Sequence, residues 1–188
     1  MYKARLELNY ARLDLGADTL TDIVRMLPAR QDASEVFDEL AKYPFAKVRE
    51  EVAGKSHLTD ETVTLLAQDK NQAVLVALIN NDEANQRIPA NRIDELIATD
   101  DSEMLRVIFQ NLQNMTQLDT TRIFHLLAIH EDAAIRLEVA RSSDAKAELL
   151  HHLARDDDPD VRDAALTTLE TFGMPDMDST DLDSLLEE

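Results

Sequence analysis

The side chains able to carry out chemistry in this 188-residue chain are few, and the sequence does not group them. The absence of cysteine excludes disulfides, thiol nucleophiles, iron–sulfur clusters and cysteine-ligated zinc. His152 and Asp156 are four residues apart, but no His-Glu-x-x-His pattern or third metal ligand accompanies them. Ser142-Ser143 does not lie in a nucleophile elbow. The histidines are His57, His125, His130, His151 and His152. We therefore predict no catalytic residue, no metal and no cofactor.

Four arginines form the most regular polar pattern of the chain, because each follows an aliphatic residue just after a polar corner. They are Arg49, Arg106, Arg136 and Arg162. One interpretation is a row that binds anions. The other is a structural ladder, in which each guanidinium bonds to loop carbonyls or to corner acids of its own or a neighbouring unit. The candidate corner acids are Asp100, Asp132 and Asp158. We favour the ladder, because a planar guanidinium suits multidentate pairing between stacked elements.

Asparagine and glutamine cluster around residues 80–86 and 110–117. Such uncharged donors and acceptors suit recognition of a peptide backbone, although polar loops that face water have the same composition. We predict that a partner-binding surface, called here the predicted partner surface, lies on the second helices of the helical pairs described below. Its residues are Glu51, Lys55, Gln72, Asn80, Gln110, Asn111, Asn114, Glu138 and Arg141.

The charge of the chain bears on its partners. Its formal net charge is −19 and only 4% of its residues are aromatic, which argues against direct binding to DNA or RNA. A basic protein partner is compatible with this charge. The sequence shows no targeting segment and no apolar run of the length that spans a bilayer, so we predict a cytoplasmic protein of bacterial character with no membrane partner.

The chain contains an internal repeat. An aliphatic-Ala pair recurs at spacings of 26, 31, 30 and 26 residues, and the eighth residue after its first member is always aliphatic. The five pairs are Leu40-Ala41, Leu66-Ala67, Ile97-Ala98, Leu127-Ala128 and Leu153-Ala154. Apolar residues three and four positions apart on both sides of each corner predict two short helices per unit.

Helix starts support this periodicity. Thr59 and Asp119 stand at equivalent places as N-caps, and Asp158 precedes a proline at the first helical position. Asp100 and Glu103 have the spacing of a capping box. Local signals and periodicity therefore agree on an all-α fold.

Two stretches carry a family resemblance. Residues 48–69, VREEVAGKSHLTDETVTLLAQD, resemble the leucine-rich repeat variant, a member of the HEAT-like superfamily. Residues 153–166, LARDDDPDVRDAAL, are similar to a HEAT repeat. The resemblance extends over residues 33–172 and implies a right-handed α-α superhelix of about five helical pairs that presents a concave face to a partner. It also implies an Asp–Arg ladder. It indicates little about function, because one fold can carry many functions.

The two ends of the chain differ from the repeats. Residues 1–32 are predicted to form an N-terminal helical cap with Gly16 at a helix C-terminus, although Leu6, Leu8 and Tyr10 also alternate as in a strand. Residues 173–188 contain six acidic and no basic residues and are predicted to be a flexible tail. The spacing of Leu182, Leu185 and Leu186 would also let this tail dock in a partner's groove or return onto its own helices.

From these observations we predict a non-enzymatic scaffold or adaptor that binds a basic or polar segment of a protein partner on its concave face. Two alternatives from other classes stay open. An acidic mimic of nucleic acid would require carboxylates clustered on one face at phosphate-like spacing. A chromophore lyase or another small-molecule enzyme on a HEAT-like fold would require a pocket with converging titratable groups.

Overall fold

The computed structural model describes residues 5–8 and 11–173 of the chain. This part is helical apart from one short β-hairpin, so the prediction of an all-α fold is confirmed. It divides into two compact units, one ending at Leu118 and the other beginning at Asp119. No helix in the described ranges is both long enough and apolar enough to cross a membrane.

The N-terminal hairpin corrects the prediction of a helix over the first fifteen residues. Strands β1 (Arg5–Leu8) and β2 (Ala11–Asp14) are antiparallel, with Leu6 opposite Leu13. Arg5 pairs across the strands with Asp14 at 2.9 Å. The alternating pattern of the segment, supported by pairing of charges across the strands, therefore decided its structure, although the same leucines also have helical spacing. Gly16, predicted to end a helix, instead precedes α1 (Ala17–Met26) at its N-cap position.

The first unit consists of α1 and three helical pairs. In each pair, the first helix ends at the aliphatic-Ala motif and the second carries the aliphatic residue that follows the corner. The helices are α2 (Ser34–Leu40) and α3 (Ala46–Ala53), α4 (Asp60–Ala67) and α5 (Gln72–Ile79), and α6 (Ala90–Ile97) and α7 (Ser102–Gln110). Single 3-10 turns lie at Gln31–Ala33, Asn85–Arg87 and Leu112–Asn114.

Packing within the first unit follows the chain order. Helix α1 packs on α3, α3 on α5, and α5 on α7, while α2 packs on α4. Each helix buries one apolar stripe, because no single short helix removes enough apolar surface from water to be stable alone. The core runs continuously from Leu20 on α1 to Met115 after α7 and includes the fully buried Phe37, Leu78 and Ile93.

The second unit repeats the arrangement with two helical pairs. They are α8 (Thr120–Ala128) with α9 (Ala133–Ala140), and α10 (Ala147–Leu153) with α11 (Pro159–Thr171). Helix α8 packs on α10 and α9 packs on α11. Ile135, Leu150, Leu153 and Leu169 are its largest fully buried side chains besides Ile123.

Most predicted helix starts are confirmed. The side chains of Thr59 and Asp119 accept hydrogen bonds from the amides of Thr62 and Arg122, and Asp158 caps α11 ahead of Pro159. The capping box predicted at Asp100 is wrong by one residue, because Asp101 accepts the bond from the Met104 amide. Asp100 has a φ of 59° and ends the chain reversal after α6, which moves the start of α7 one residue onward.

Candidate partner-binding grooves and the ladders that shape them

Two arginines bind consecutive helical pairs together with the same geometry. Arg49 donates from Nε and Nη2 to the two carboxylate oxygens of Asp69 at 2.6 and 3.0 Å, and from Nη1 to the Tyr43 carbonyl at 2.7 Å. Arg136 donates in the same way to Asp156 at 2.7 and 2.8 Å. In both cases the aspartate lies 20 residues after the arginine. Two bidentate, largely buried pairs of this kind hold one corner against the next.

The position of the receiving carboxylate is a finding that the sequence did not predict. The two corners that receive a bidentate arginine each have an aspartate, Asp69 or Asp156, followed two residues later by the N-cap of the second helix. The Asp156 carboxylate accepts the hydrogen bonds of Arg136 and one from the Asp158 amide. The Asp158 carboxylate instead caps α11. Asp158 and Asp132, two of the predicted ladder acids, are the N-cap residues of α11 and α9. The spacing Asp-x-Asn or Asp-x-Asp is a sequence signal shared by the two corners, but it does not tell which helical pair the first aspartate faces.

The two remaining predicted arginines lie on the second helices α7 and α11. Arg106 is half-buried on α7. Arg162, on α11, donates from Nη1 to the carbonyls of Asp156 and Asp157 at 2.6 and 3.0 Å. Arg136 uses its own Nη1 in this way on the carbonyls of the corner before it. The ladder therefore includes bonds to loop carbonyls as well as bonds to acids.

The pairing lowers the pKa of both aspartates below the ordinary 3.8. Burial of Asp69 would raise its pKa, but the hydrogen bonds from Arg49 and from the Asn71 amide outweigh that penalty. At Asp156, the hydrogen bond from Arg136 is the main cause of the lowered pKa. A carboxylate with a lowered folded-state pKa stabilises the fold above its unfolded pKa, and this contribution is lost as the pH falls through the folded value.

We therefore expect Asp156→Asn to weaken the acid dependence of stability. At neutral pH the variant is less stable than the wild type, and below about pH 4 the two curves converge as the pH falls, because protonation removes the charge in the wild type as well. Urea unfolding at a series of pH values measures this difference. Asp160→Asn, an exposed change at the start of the adjoining helix α11, serves as the control and is expected to follow the wild-type curve. A constant offset between Asp156→Asn and the wild type would contradict the expectation.

A second ladder connects the C-terminal ends of the second helices. The last carbonyls of a helix have no partner within it and need donors from elsewhere. The Lys55 ammonium, after α3, donates to the carbonyls of Arg25 and Leu27 at the end of α1, at 2.9 and 3.0 Å. The Asn81 amide, after α5, donates to the carbonyls of Ala53 and Lys55 at the end of α3, both at 2.8 Å. Each pair thus caps the one before it.

Other side chains extend this capping pattern in both units. Gln117 donates to the carbonyls of Asn85 and Ile88 at 3.0 and 3.1 Å. Thr168 on α11 donates to the carbonyl of Ala140, the last residue of α9, at 2.7 Å. The amides of these Asn- and Gln-rich stretches therefore recognise peptide backbone, as their chemistry suggested, but the backbone belongs to the same chain.

At least six of the nine residues of the predicted partner surface make side-chain bonds within the chain. Their partners are carbonyls for Lys55, Arg25 for Glu51, Asp101 and Glu103 for Gln72, Asn111 for Asn80 and Asp82 for Asn114. The bonds of Gln72, Asn80 and Asn114 link residues 29 to 32 positions apart, which is one repeat. Gln110 and Arg141 are exposed, and Glu138 is half-buried.

Each unit also has a polar groove in the row of helices that contains the second helices, between α1 and α3 in the first unit and between α9 and α11 in the second. The groove of the first unit, called here the α1–α3 groove, has a volume of about 290 Å³. It is lined by Asp18, Thr21, Asp22, Arg25, Lys47, Glu50 and Glu51. Four of these residues are acidic and two are basic, and Arg25 is engaged by Asp22 at 3.2 Å and by Glu51. The groove is therefore negative overall, with its basic side chains already paired inside it.

The groove of the second unit, called here the α9–α11 groove, has a volume of about 570 Å³. Its lining residues are Arg141, Asp160, Asp163, Ala164, Thr167 and Thr168. Asp160 and Asp163 are exposed acids on α11, and Arg141 caps the end of α9. Both grooves thus present carboxylates and small polar groups between exposed helix faces. Such surfaces suit lysine, arginine or backbone amides of another chain.

A third cleft, of about 510 Å³, opens beside the first helices of the first unit and contains one of the histidines. His57 has a φ of 61°, and its amide donates to the Glu83 carboxylate at 2.9 Å. Its ring nitrogen Nδ1 is 3.8 Å from that carboxylate. The nearby Ser34 hydroxyl donates to the Gln31 carbonyl instead of to the imidazole. Across the described ranges, no three His, Asp or Glu side chains come together as a metal site.

Comparison of the chain with protein-family models, with curated proteins and with solved structures found no match.

Proposed function

We propose that this protein is a non-enzymatic scaffold that binds a basic or polar segment of a protein partner along its second helices. In this proposal the helical pairs form a right-handed α-α superhelix of the HEAT and leucine-rich-repeat-variant kind, and the second helices line its concave face. The observation that carries the proposal is a negative groove in the helix row that contains the second helices, which occurs in both units as the α1–α3 and α9–α11 grooves.

The packing order supports the superhelical part of the proposal. In each unit, second helices contact second helices and first helices contact first helices, with the same register of bridging bonds. A stack built in this way buries one apolar layer and leaves the outer sides of both helix rows polar. Binding surfaces of stacked repeats lie on such rows.

The bonds of the ladders reduce the number of side chains that are available to a partner. Lys55, Asn80 and Asn111 are occupied by bonds within the chain, so a partner would have to displace these bonds to use them. The Glu50 carboxylate in the α1–α3 groove is exposed. The Asp18 carboxylate is 3.8 Å from the Lys47 ammonium, but its side chain is 91% exposed, so this ion pair contributes little to holding α1 against α3. Asp160 and Asp163 are likewise exposed in the groove of the second unit. We therefore assign binding to these groove acids.

Selection of a displayed random-peptide library against the wild-type protein tests the proposal. The enriched peptides are expected to contain lysine or arginine, and one of them serves as the fluorescent probe. Asp18→Lys/Glu50→Lys reverses two charges of the α1–α3 groove and is expected to weaken binding of a peptide that occupies that groove about tenfold or more, because like charges then face each other. Fluorescence anisotropy measures the dissociation constants.

The matched control is Glu35→Lys/Glu61→Lys, which makes the same change of net charge on the exposed first helices α2 and α4. It is expected to leave the dissociation constant within about twofold of the wild type. Enrichment of peptides without basic residues would contradict the proposed chemistry. Equal weakening by both variants would show that attraction to the overall charge of the chain, and not the groove, accounts for binding.

A further inference from the structure

The last arginine of the ladder, Arg162, binds its own corner as Arg136 does, but no carboxylate in the described part of the chain pairs with it. Arg162 donates from Nη1 to two carbonyls of its own corner, as Arg136 does, at 2.6 and 3.0 Å. Because a guanidinium is planar and rigid, these bonds also fix the direction of its Nε–Nη2 edge. Arg49 and Arg136 give that edge to an aspartate of the following pair. Among residues 5–8 and 11–173, no carboxylate takes this place at Arg162.

The geometry points to a carboxylate-binding site at the Nε–Nη2 edge of Arg162. We infer that its ligand is the acidic segment of the same chain, residues 174–188, which lies outside the described residues. This segment follows α11 directly and contains six acids and no base. A bidentate carboxylate would complete Arg162 as Asp69 and Asp156 complete the two other arginines.

Distances along the chain identify which acids reach the site. Helix α11 continues for nine residues beyond Arg162 to Thr171, about 14 Å at 1.5 Å per residue. Gly173 then has a φ of 68°, the left-handed conformation that turns a chain at the end of a helix. Asp181 and Asp183 follow eight and ten residues later. A return of about 14 Å to the level of Arg162 is within reach of both acids, since a chain spans up to about 3.4 Å per residue.

The apolar residues of the segment match the surface they would meet. Leu182, Leu185 and Leu186 have the spacing of one helical stripe and alternate with the acids. On α11, the Phe172 side chain is 42% exposed and Leu166 is half-buried. Terminal repeats need a cap that covers the apolar edge of the stack. The segment would thus close the second unit with both charge pairing and apolar contact.

Hydrogen exchange of the full-length protein, measured by mass spectrometry on peptides from residues 178–188, tests this inference. Asp181→Asn/Asp183→Asn removes two carboxylates without changing the helical pairs. It is expected to lower the protection of these amides about tenfold, in line with the strength of a charge-assisted bidentate pair. Arg162→Gln is expected to cause a similar loss, and the combination of all three changes is expected to add little more.

The matched control is Asp176→Asn/Asp178→Asn, which removes the same charge from the same segment only three and five residues beyond Gly173. It is expected to retain most of the protection. Equal loss in both double variants, or no protection in the wild type, would overturn the inference. Protection that rises with protein concentration would show that a second copy supplies the carboxylate, which would also overturn it.

Discussion

Arg49→Met is expected to lower the free energy of unfolding by about 3 to 5 kcal/mol, the largest effect that we expect from a single substitution in the ladder. The Asp69 side chain is only 7% exposed, and loss of the guanidinium leaves its charge buried without a counter-ion. The Tyr43 carbonyl loses its donor in the same step. Urea unfolding followed by circular dichroism at neutral pH measures the difference.

The control for this substitution is Arg5→Met. Arg5 and Asp14 form an ion pair at 2.9 Å, but their side chains are 44% and 59% exposed, so the pair contributes less than about 1 kcal/mol. A double variant, Arg49→Met/Asp69→Leu, is expected to regain part of the stability because it no longer contains the buried charge. If Arg49→Met destabilised the protein no more than Arg5→Met, the buried pair would not be what joins these two helical pairs.

Asn81→Ala is expected to lower the free energy of unfolding by about 2 to 3 kcal/mol, because four hydrogen bonds end on this one side chain. Its amide nitrogen donates to two carbonyls at the end of α3. Its amide oxygen accepts from the amides of Glu83 and Ala84 at 3.1 and 3.3 Å. The substitution therefore removes these partners from the two carbonyls at the end of α3 and from the Glu83 amide, whereas the Ala84 amide keeps its bond to the Asn81 carbonyl at 2.9 Å. The same urea unfolding experiment measures it.

The neighbouring asparagine provides the matched control. Asn80 is exposed, and its side chain accepts one bond, from Asn111 at 2.9 Å, so Asn80→Ala is expected to cost less than about 1 kcal/mol. Asn81→Asp tests the donor alone, since it keeps the accepting oxygen but places a carboxylate against two carbonyls. It is expected to destabilise at least as much as Asn81→Ala. Similar effects at positions 80 and 81 would argue against a capping role specific to Asn81.

The asparagine- and glutamine-rich stretches have a different role in the structure from the one that the sequence suggested. From the sequence, Asn80, Asn111 and Asn114 suited recognition of a partner. In the structure, each of the three bonds to a residue one repeat away, and the neighbouring Asn81 caps a helix end. No local pattern distinguishes these uses, because an amide bonds equally well to its own chain and to another. The proposed partner surface accordingly rests on groove acids such as Glu50 and Asp163.

The positions of the helical pairs and most of their starts were predictable because they depend on interactions a few residues apart. Apolar residues at spacings of three and four define a buried stripe, and caps such as Thr59 and Asp158 bond to amides within three residues. The hairpin is the exception. Leu6 and Leu13 fit a helical face and a pair of strands equally well, so pairing across the two strands decided between them.

By itself, the sequence determined an all-helical chain of short amphipathic pairs joined by polar corners. Tertiary structure alone decided which acid of a corner receives an arginine, since Asp156 and Asp158 differ only in facing the preceding pair or their own helix. It also decided that Lys55 and Asn81 cap earlier helices. These bonds connect residues 20 to 30 positions apart, and their formation depends on how the pairs stack, which no local spacing encodes.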